Sequence, residues 1–115
     1  MVKRKENSTS SLNENYWKEN CGITRTLCLI GGHWKINILA FLLKEKILRY
    51  HELRKRLHGI SERMLIAKLK ELENDGLVTR TVYQQVPPKV EYSLSELGSS
   101  LESIIQLMDH WGETH

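Results

Sequence analysis

Long hydrophobic runs are missing from this chain: no stretch approaches the roughly 18 to 20 consecutive apolar residues that a membrane span needs, so a soluble protein without a membrane partner is expected. Cysteine is scarce. Cys21 and Cys28 are the only two in 115 residues, too few for a disulfide framework and without the paired Cys/His spacing of a zinc site. That argues for a reducing, cytoplasmic setting and against a metal. The opening stretch, MVKRKENSTSSLNEN, has basic residues but neither the apolar core nor the small-residue cleavage site of a secretory signal. It reads as a flexible polar arm over residues 1–15, ahead of a single domain over residues 16–115. Enzyme signatures are lacking too. There is no Gly-rich phosphate loop or nucleophile elbow, and His33, His51, His58, His110 and His115 have no i, i+4 spacing among them, so neither catalytic residues nor a cofactor is expected.

Positive charge is absent from one end of the chain. Residues 90–115 hold no Lys or Arg against five acids, whereas residues 44–89 hold eleven against six and residues 1–43 six against three. A split of this kind argues that the middle segment faces a polyanion and that the C-terminal segment faces away from it.

Hydrophobic periodicity places the elements. Thr24 to Ile30 reads as a short apolar helix with Thr24 as its N-cap and Gly31-Gly32 as its stop. From Trp34 to Leu43 apolar side chains surround most of the helix, which marks a central core element. Tyr50 to Leu57 is a shorter helix turned inward through Leu53 and Leu57, and Gly59 ends it. Ser61 then caps a helix reaching about Asp75, in which steps of about 100° bring Leu65, Leu69 and Leu72 onto one stripe. The opposite arc carries Arg63, Ile66, Ala67, Lys70 and Asn74. Leu77 to Tyr83 and Lys89 to Leu94 are rich in Val, Thr and Tyr and read as a hairpin, with Pro87-Pro88 confined to its stiff tip and Lys89 following there. A final helix from Ser95 lines up Leu97, Leu101, Ile104, Ile105, Met108 and Trp111 in a nearly unbroken apolar stripe, too large for a small domain to cover alone. It predicts a homodimer through the C-terminal helix, with the N-terminal helix packed beside it.

Helix, helix, turn, helix, hairpin is the order of a winged helix-turn-helix, whose second helix enters the DNA major groove while the first steadies it. The fold expected is mainly α with a small β-hairpin. Its helix-turn-helix lies at about residues 50–75, its wing at about 77–94 and its dimerisation helix at about 95–111, with the N- and C-terminal helices forming the dimer interface. Double-stranded DNA is the expected partner. The competing reading is a winged-helix module for protein interaction, which would keep the core and the dimer stripe but would not need Arg63, Lys70 and Lys89 on one surface. Cys21 precedes a helix start with Arg25 about one turn on, so helix dipole and cation both favour its thiolate. Cys28, between Leu27 and Leu29, reads as a small buried hydrophobe.

The segments LCLIGGHWKINIL and YHELRKRLHGISERMLIAKLKELENDGLVTRTVYQQVPPKVEYSLSELG, with Cys21 upstream, resemble the HxlR-type transcriptional regulators, a branch near the MarR family. The likeness runs from about Cys21 to Trp111, and GISERML, LENDGLV, VPPKVEYSLSELG and IGGHW are its most specific blocks. It implies a small homodimeric bacterial winged-helix protein that binds a pseudo-palindromic operator, usually as a repressor. Several members sense oxidants or quinone-like electrophiles through an N-terminal cysteine, here Cys21. The resemblance also puts Ser61, Arg63, Ala67 and Lys70 on the recognition helix, Lys89 on the wing and His51 at the start of the preceding helix. Arg63 and Lys70 suit guanine edges or phosphates, Ser61 and His51 suit phosphate oxygens, and Lys89 suits the backbone beside the minor groove. Three positions depart from the family pattern: His33 stands in place of lysine, Gly22 in place of proline after the cysteine, and Tyr50 in place of phenylalanine.

Overall fold

The computed structural model describes residues 9–115 and divides them into two compact units, the first ending at Gly31 and the second running from Gly32 to His115. In the first unit, helix α1 spans Thr9–Asn20 and α2 spans Gly22–Ile30. Residues 9–15, expected as the end of a polar arm, are therefore helical, while residues 1–8 of that arm lie outside the described residues. The polar composition of α1 hid it, because no apolar period runs through the segment. Arg25 bridges the two helices by donating from Nη1 to the carbonyls of Lys18 (3.2 Å) and Glu19 (3.1 Å), which satisfies acceptors that the end of α1 leaves open. Helix α2 begins two residues earlier than Thr24, with Cys21 at its N-cap position.

The second unit is built on α3 (His33–Glu45), which buries Ile38, Leu39 and Leu42. A two-residue strand β1 (Ile47–Leu48), too short to leave a mark in the sequence, precedes α4 (Tyr50–Arg56) and α5 (Glu62–Asn74). Strands β2 (Val78–Tyr83) and β3 (Lys89–Leu94) follow, and the antiparallel sheet has the order β1-β3-β2. Leu53, Leu57, Ile60, Leu65, Leu69 and Leu72 are all buried, as the inward stripes require. At about 1.5 to 3 kcal/mol for each fully buried large apolar side chain, this cluster fixes the helix-turn-helix. Gly59 supplies the turn at φ 88°, and the Ile60 amide bonds to the Leu57 carbonyl at 3.0 Å. Helix α5 closes in a Schellman turn. Gly76 sits at φ 76°, the Leu77 amide bonds to Leu72 O at 2.9 Å, and the Gly76 amide bonds to Glu73 O at 3.0 Å.

The C-terminal helix is not continuous. It breaks into α6 (Glu96–Ser99) and α7 (Glu102–Thr114), with the Ser100 hydroxyl donating to the Leu97 carbonyl at the break. Gly98 is buried against the start of the wing, where a Cβ would stand 2.1 Å from the Leu77 carbonyl oxygen. Two hydrogen bonds strengthen that junction: the Ser95 amide bonds to Leu77 O at 3.0 Å, and the Ser95 hydroxyl to Gly76 O at 2.5 Å.

Candidate nucleic-acid interface

Helix α5 starts cleanly because Ser61 Oγ accepts the Met64 amide at 3.1 Å, which satisfies one of the first-turn donors. With Leu65, Leu69 and Leu72 inward, Arg63, Ile66, Ala67 and Lys70 are all exposed on the other side, and so is Met64. Ser61 is exposed at the head of the same helix, and His51 on the first turn of α4. Arg63 and Lys70 have no ion-pair partner among the described residues. Lys68 behaves differently: it is half-buried and pairs with Glu71 at 3.2 Å. The outer face of α5 thus offers two available guanidinium and ammonium groups among small or apolar side chains, the chemistry that reads guanine edges and thymine methyls in a major groove.

The support for this face is polar where it needs to be. Glu52 Oε1 accepts the Arg49 amide at 2.8 Å and caps α4. Arg56 of α4 makes a two-pronged pair with Glu45 of α3, with Nη2 to Oε1 at 2.6 Å and Nε to Oε2 completing the fork. The Arg56 hydrogen bond holds the Glu45 carboxyl below its ordinary value. Tyr50 buries its hydroxyl with no hydrogen-bond partner among the described residues. Burial pushes its pKa up, and the neighbouring Glu62 carboxylate adds to the rise.

The wing departs from expectation in its charge. Lys89 is the first residue of β3, as the strand reading has it, and is paired across the ladder with Tyr83. Its Nζ lies 3.4 Å from Glu91 Oε2 and 5.0 Å from the centre of the Tyr83 ring, so the hairpin itself engages it. Arg80, on β2, is exposed and has no ion-pair partner among the described residues. Nothing in the sequence singles it out, because a strand's period of two does not say which of its faces borders the helix.

The residues expected to form a dimer surface fall into three groups. Ile105 is only 7% exposed and belongs to the protomer's own core, which removes it from that surface. Leu101 is half-buried at the helix break, and Leu97 lies exposed on α6, ahead of the break. Ile104, Met108 and Trp111 do share one exposed face of α7, joined there by Leu107, 69% exposed, which the stripe had omitted. In the first unit Tyr16, Trp17, Ile23 and Leu27 are exposed as well.

Cys21 is half-buried at the head of α2, and its thiol is held below the ordinary cysteine value. The Thr24 amide and hydroxyl are the main cause. Burial opposes them, while the Ile23 amide and the charge of Arg25 assist. Thr24, expected to cap the helix, lies inside it, and Cys21 holds the N-cap position without a side-chain capping bond. Cys28 is exposed, not buried as expected, since α2 turns that face outward.

A capped recognition helix behind a Gly-containing turn, flanked by a three-stranded sheet with an extended hairpin, defines the winged helix-turn-helix class. The sequence model of the HxlR-like helix-turn-helix family matches residues 29–115. The HTH-type transcriptional regulator YdeP of Bacillus subtilis (strain 168) is 50% identical over 97 residues, 84% of this chain and 75% of the relative. Among solved structures, the redox regulator HypR in its oxidized form is 46% identical with a TM-score of 0.78, covering 83% of this chain and 97% of HypR. The reduced form of the transcriptional regulator YodB from B. subtilis is 33% identical with a TM-score of 0.70, covering 81% and 91%. This chain belongs to the HxlR-like helix-turn-helix family and is a transcriptional regulator of the helix-turn-helix type. No single helix in it is long and apolar enough to cross a membrane, among the described residues.

Proposed function

We propose that this regulator represses transcription as a homodimer bound to a pseudo-palindromic duplex operator. The observation that carries the reading is the outer face of α5. Arg63 and Lys70 stand there exposed and without ion-pair partners among the described residues, while the same helix locks its three leucines into the core. Two-fold symmetry of the protein imposes two-fold symmetry on its site, with half-site centres about 34 to 36 Å apart. Ser61 and His51 are assigned to phosphate oxygens, Arg63 and Lys70 to base edges or phosphates, and Ala67 to the close approach of the helix. The second copy covers the α7 face of Ile104, Leu107, Met108 and Trp111. Binding of mixed genomic DNA fragments at low and moderate salt tests the core of this reading. Retention of a subset of fragments at moderate salt supports it, and no retention at either salt leaves the chain as a protein-interaction module.

Cys21 is the sensing residue in this reading, with oxidants or quinone-like electrophiles as inducers. Its support is a thiol already biased toward thiolate at a helix start and the likeness to HypR, a redox regulator. A tenfold change in the binding-competent population needs only about 1.4 kcal/mol, within reach of one intersubunit disulfide or adduct. Operator affinity is to be compared for wild type, Cys21→Ser and Cys28→Ser before and after diamide. Loss of the response in Cys21→Ser alone supports the sensor, and an unchanged response in that variant sinks it.

A further inference from the structure

Between α5 and the hairpin lies a cleft of about 530 Å³ whose walls carry Lys70, Glu73 and Asn74 from the helix and Arg80 and Tyr92 from the sheet. Lys70 and Arg80 are both exposed, and neither has an ion-pair partner among the described residues. Three positions separate the pair Arg80–Tyr92 from the pair Tyr83–Lys89 at the hairpin end of the ladder, so Arg80 lies on the part of the wing that borders α5, well below its tip. Lys89, the expected wing contact, is held by Glu91 and the Tyr83 ring, and the tip beyond it, Gln84-Gln85-Val86-Pro87-Pro88, has no charge at all.

We infer that Arg80, and not Lys89, is the wing's principal DNA contact, and that Arg80 and Lys70 clamp one phosphate stretch of the duplex backbone from opposite walls of this cleft. The inference rests on the DNA-binding reading above and adds a residue to it. A guanidinium presents several donors in a fixed fork that matches phosphate oxygens, and it stays charged at every working pH. Asn74 adds an amide donor on the same wall. Glu73 is the one acid in the cleft and opposes the phosphate, so its charge tempers the site. Engaging Lys89 with DNA means giving up an existing ion pair and ring contact, whereas Arg80 gives up only water.

The test uses fluorescence anisotropy with a labelled mixed-sequence DNA duplex, over a salt series, on the full chain. Arg80→Ala is expected to weaken binding about tenfold and to lower the slope of log affinity against log salt by about one. Arg80→Lys retains the slope, Lys89→Ala changes it by clearly less than Arg80→Ala does, and Glu73→Gln tightens binding. Thermal melts and an Arg80→Gln variant exclude a folding defect as the cause. A wild-type slope in folded Arg80→Ala, or an equal or larger slope loss in Lys89→Ala, overturns the inference while leaving the DNA reading intact. Failure of the wild type to bind any duplex overturns both.

Discussion

Helices α5 and α7 are both thirteen residues long, and both are amphipathic, yet they settle their surfaces differently. Helix α5 buries three leucines and presents cations beside small and apolar groups. Helix α7 buries Ile105 alone and leaves four large apolar side chains uncovered, with only acids among its charged residues. Inward faces of the same kind therefore coexist with outward faces of opposite chemistry. One has the chemistry that suits a polyanion, the other leaves an apolar surface uncovered, as the proposed operator-bound dimer requires. The acids of α7, Glu102, Asp109 and Glu113, lie on the side of Ile105 beside α3, away from that apolar face.

The contrast can be broken from the inside first. Leu65→Ala removes a fully buried side chain from the α5 stripe and is expected to cost about 2 to 5 kcal/mol of stability, read by urea denaturation, with DNA binding lost along with the fold. Trp111→Ala should act on the outside of α7 alone. Dimer affinity is expected to fall by about 2 kcal/mol or more, seen as dissociation by sedimentation, while the protomer keeps its secondary structure. Arg63→Ala should do the reverse, leaving the dimer intact and costing about 1 to 3 kcal/mol of operator affinity, with relaxed sequence preference at one position per half-site. If Trp111→Ala and Arg63→Ala produced the same profile, the division of labour between the two helices would be refuted.

A finer test concerns the helix behind α5. Tyr50→Phe removes a buried hydroxyl that has no partner among the described residues, so it is expected to raise stability by about 1 kcal/mol. The sign with pH follows. The folded-state pKa of Tyr50 lies above the unfolded one, so the unfolded chain gives up this proton first. The wild type should therefore lose stability as pH rises above about 10, and the phenylalanine variant should lose less over the same window. At the opposite end of the scale, Glu45 is held below its ordinary value by Arg56. Its contribution is present at neutral pH and disappears as acid protonates it, so Glu45→Gln should flatten the acid limb of the stability curve slightly.

Much of this fold was legible because α4 and α5 bury their leucines at helical spacing and punctuate themselves with Gly59, Ser61 and Gly76, three signals that agree. The outward residues of α5 follow automatically once its stripe is known. Elsewhere the signals conflict or are silent. Ile104 and Ile105 are neighbours in one apolar run, and only packing decides that Ile105 turns inward. The break at Ser100 depends on a side-chain hydrogen bond that competes with the helix. Helix α1 has no apolar period to detect. The exposure of Cys28 and the capture of Lys89 by Glu91 and Tyr83 are tertiary facts, set by which face of a short element meets solvent and by a cross-strand register.

The contact at Gly98 gives the molecule a transmission. A Cβ there would strike the Leu77 carbonyl, and Ser95 is tied to both Gly76 and Leu77, so α6 and the exit of α5 meet at a closely packed joint. In the proposed dimer, a tilt of one α7 against the other would reach α5 across the short break at Ser100-Leu101 and then through this joint. Interfaces packed this closely move in steps and do not stretch. In the proposed dimer, the placement of α5 would thus be tied to the dimer contact through a glycine of α6 that lies outside both the outer face of α5 and the exposed face of α7.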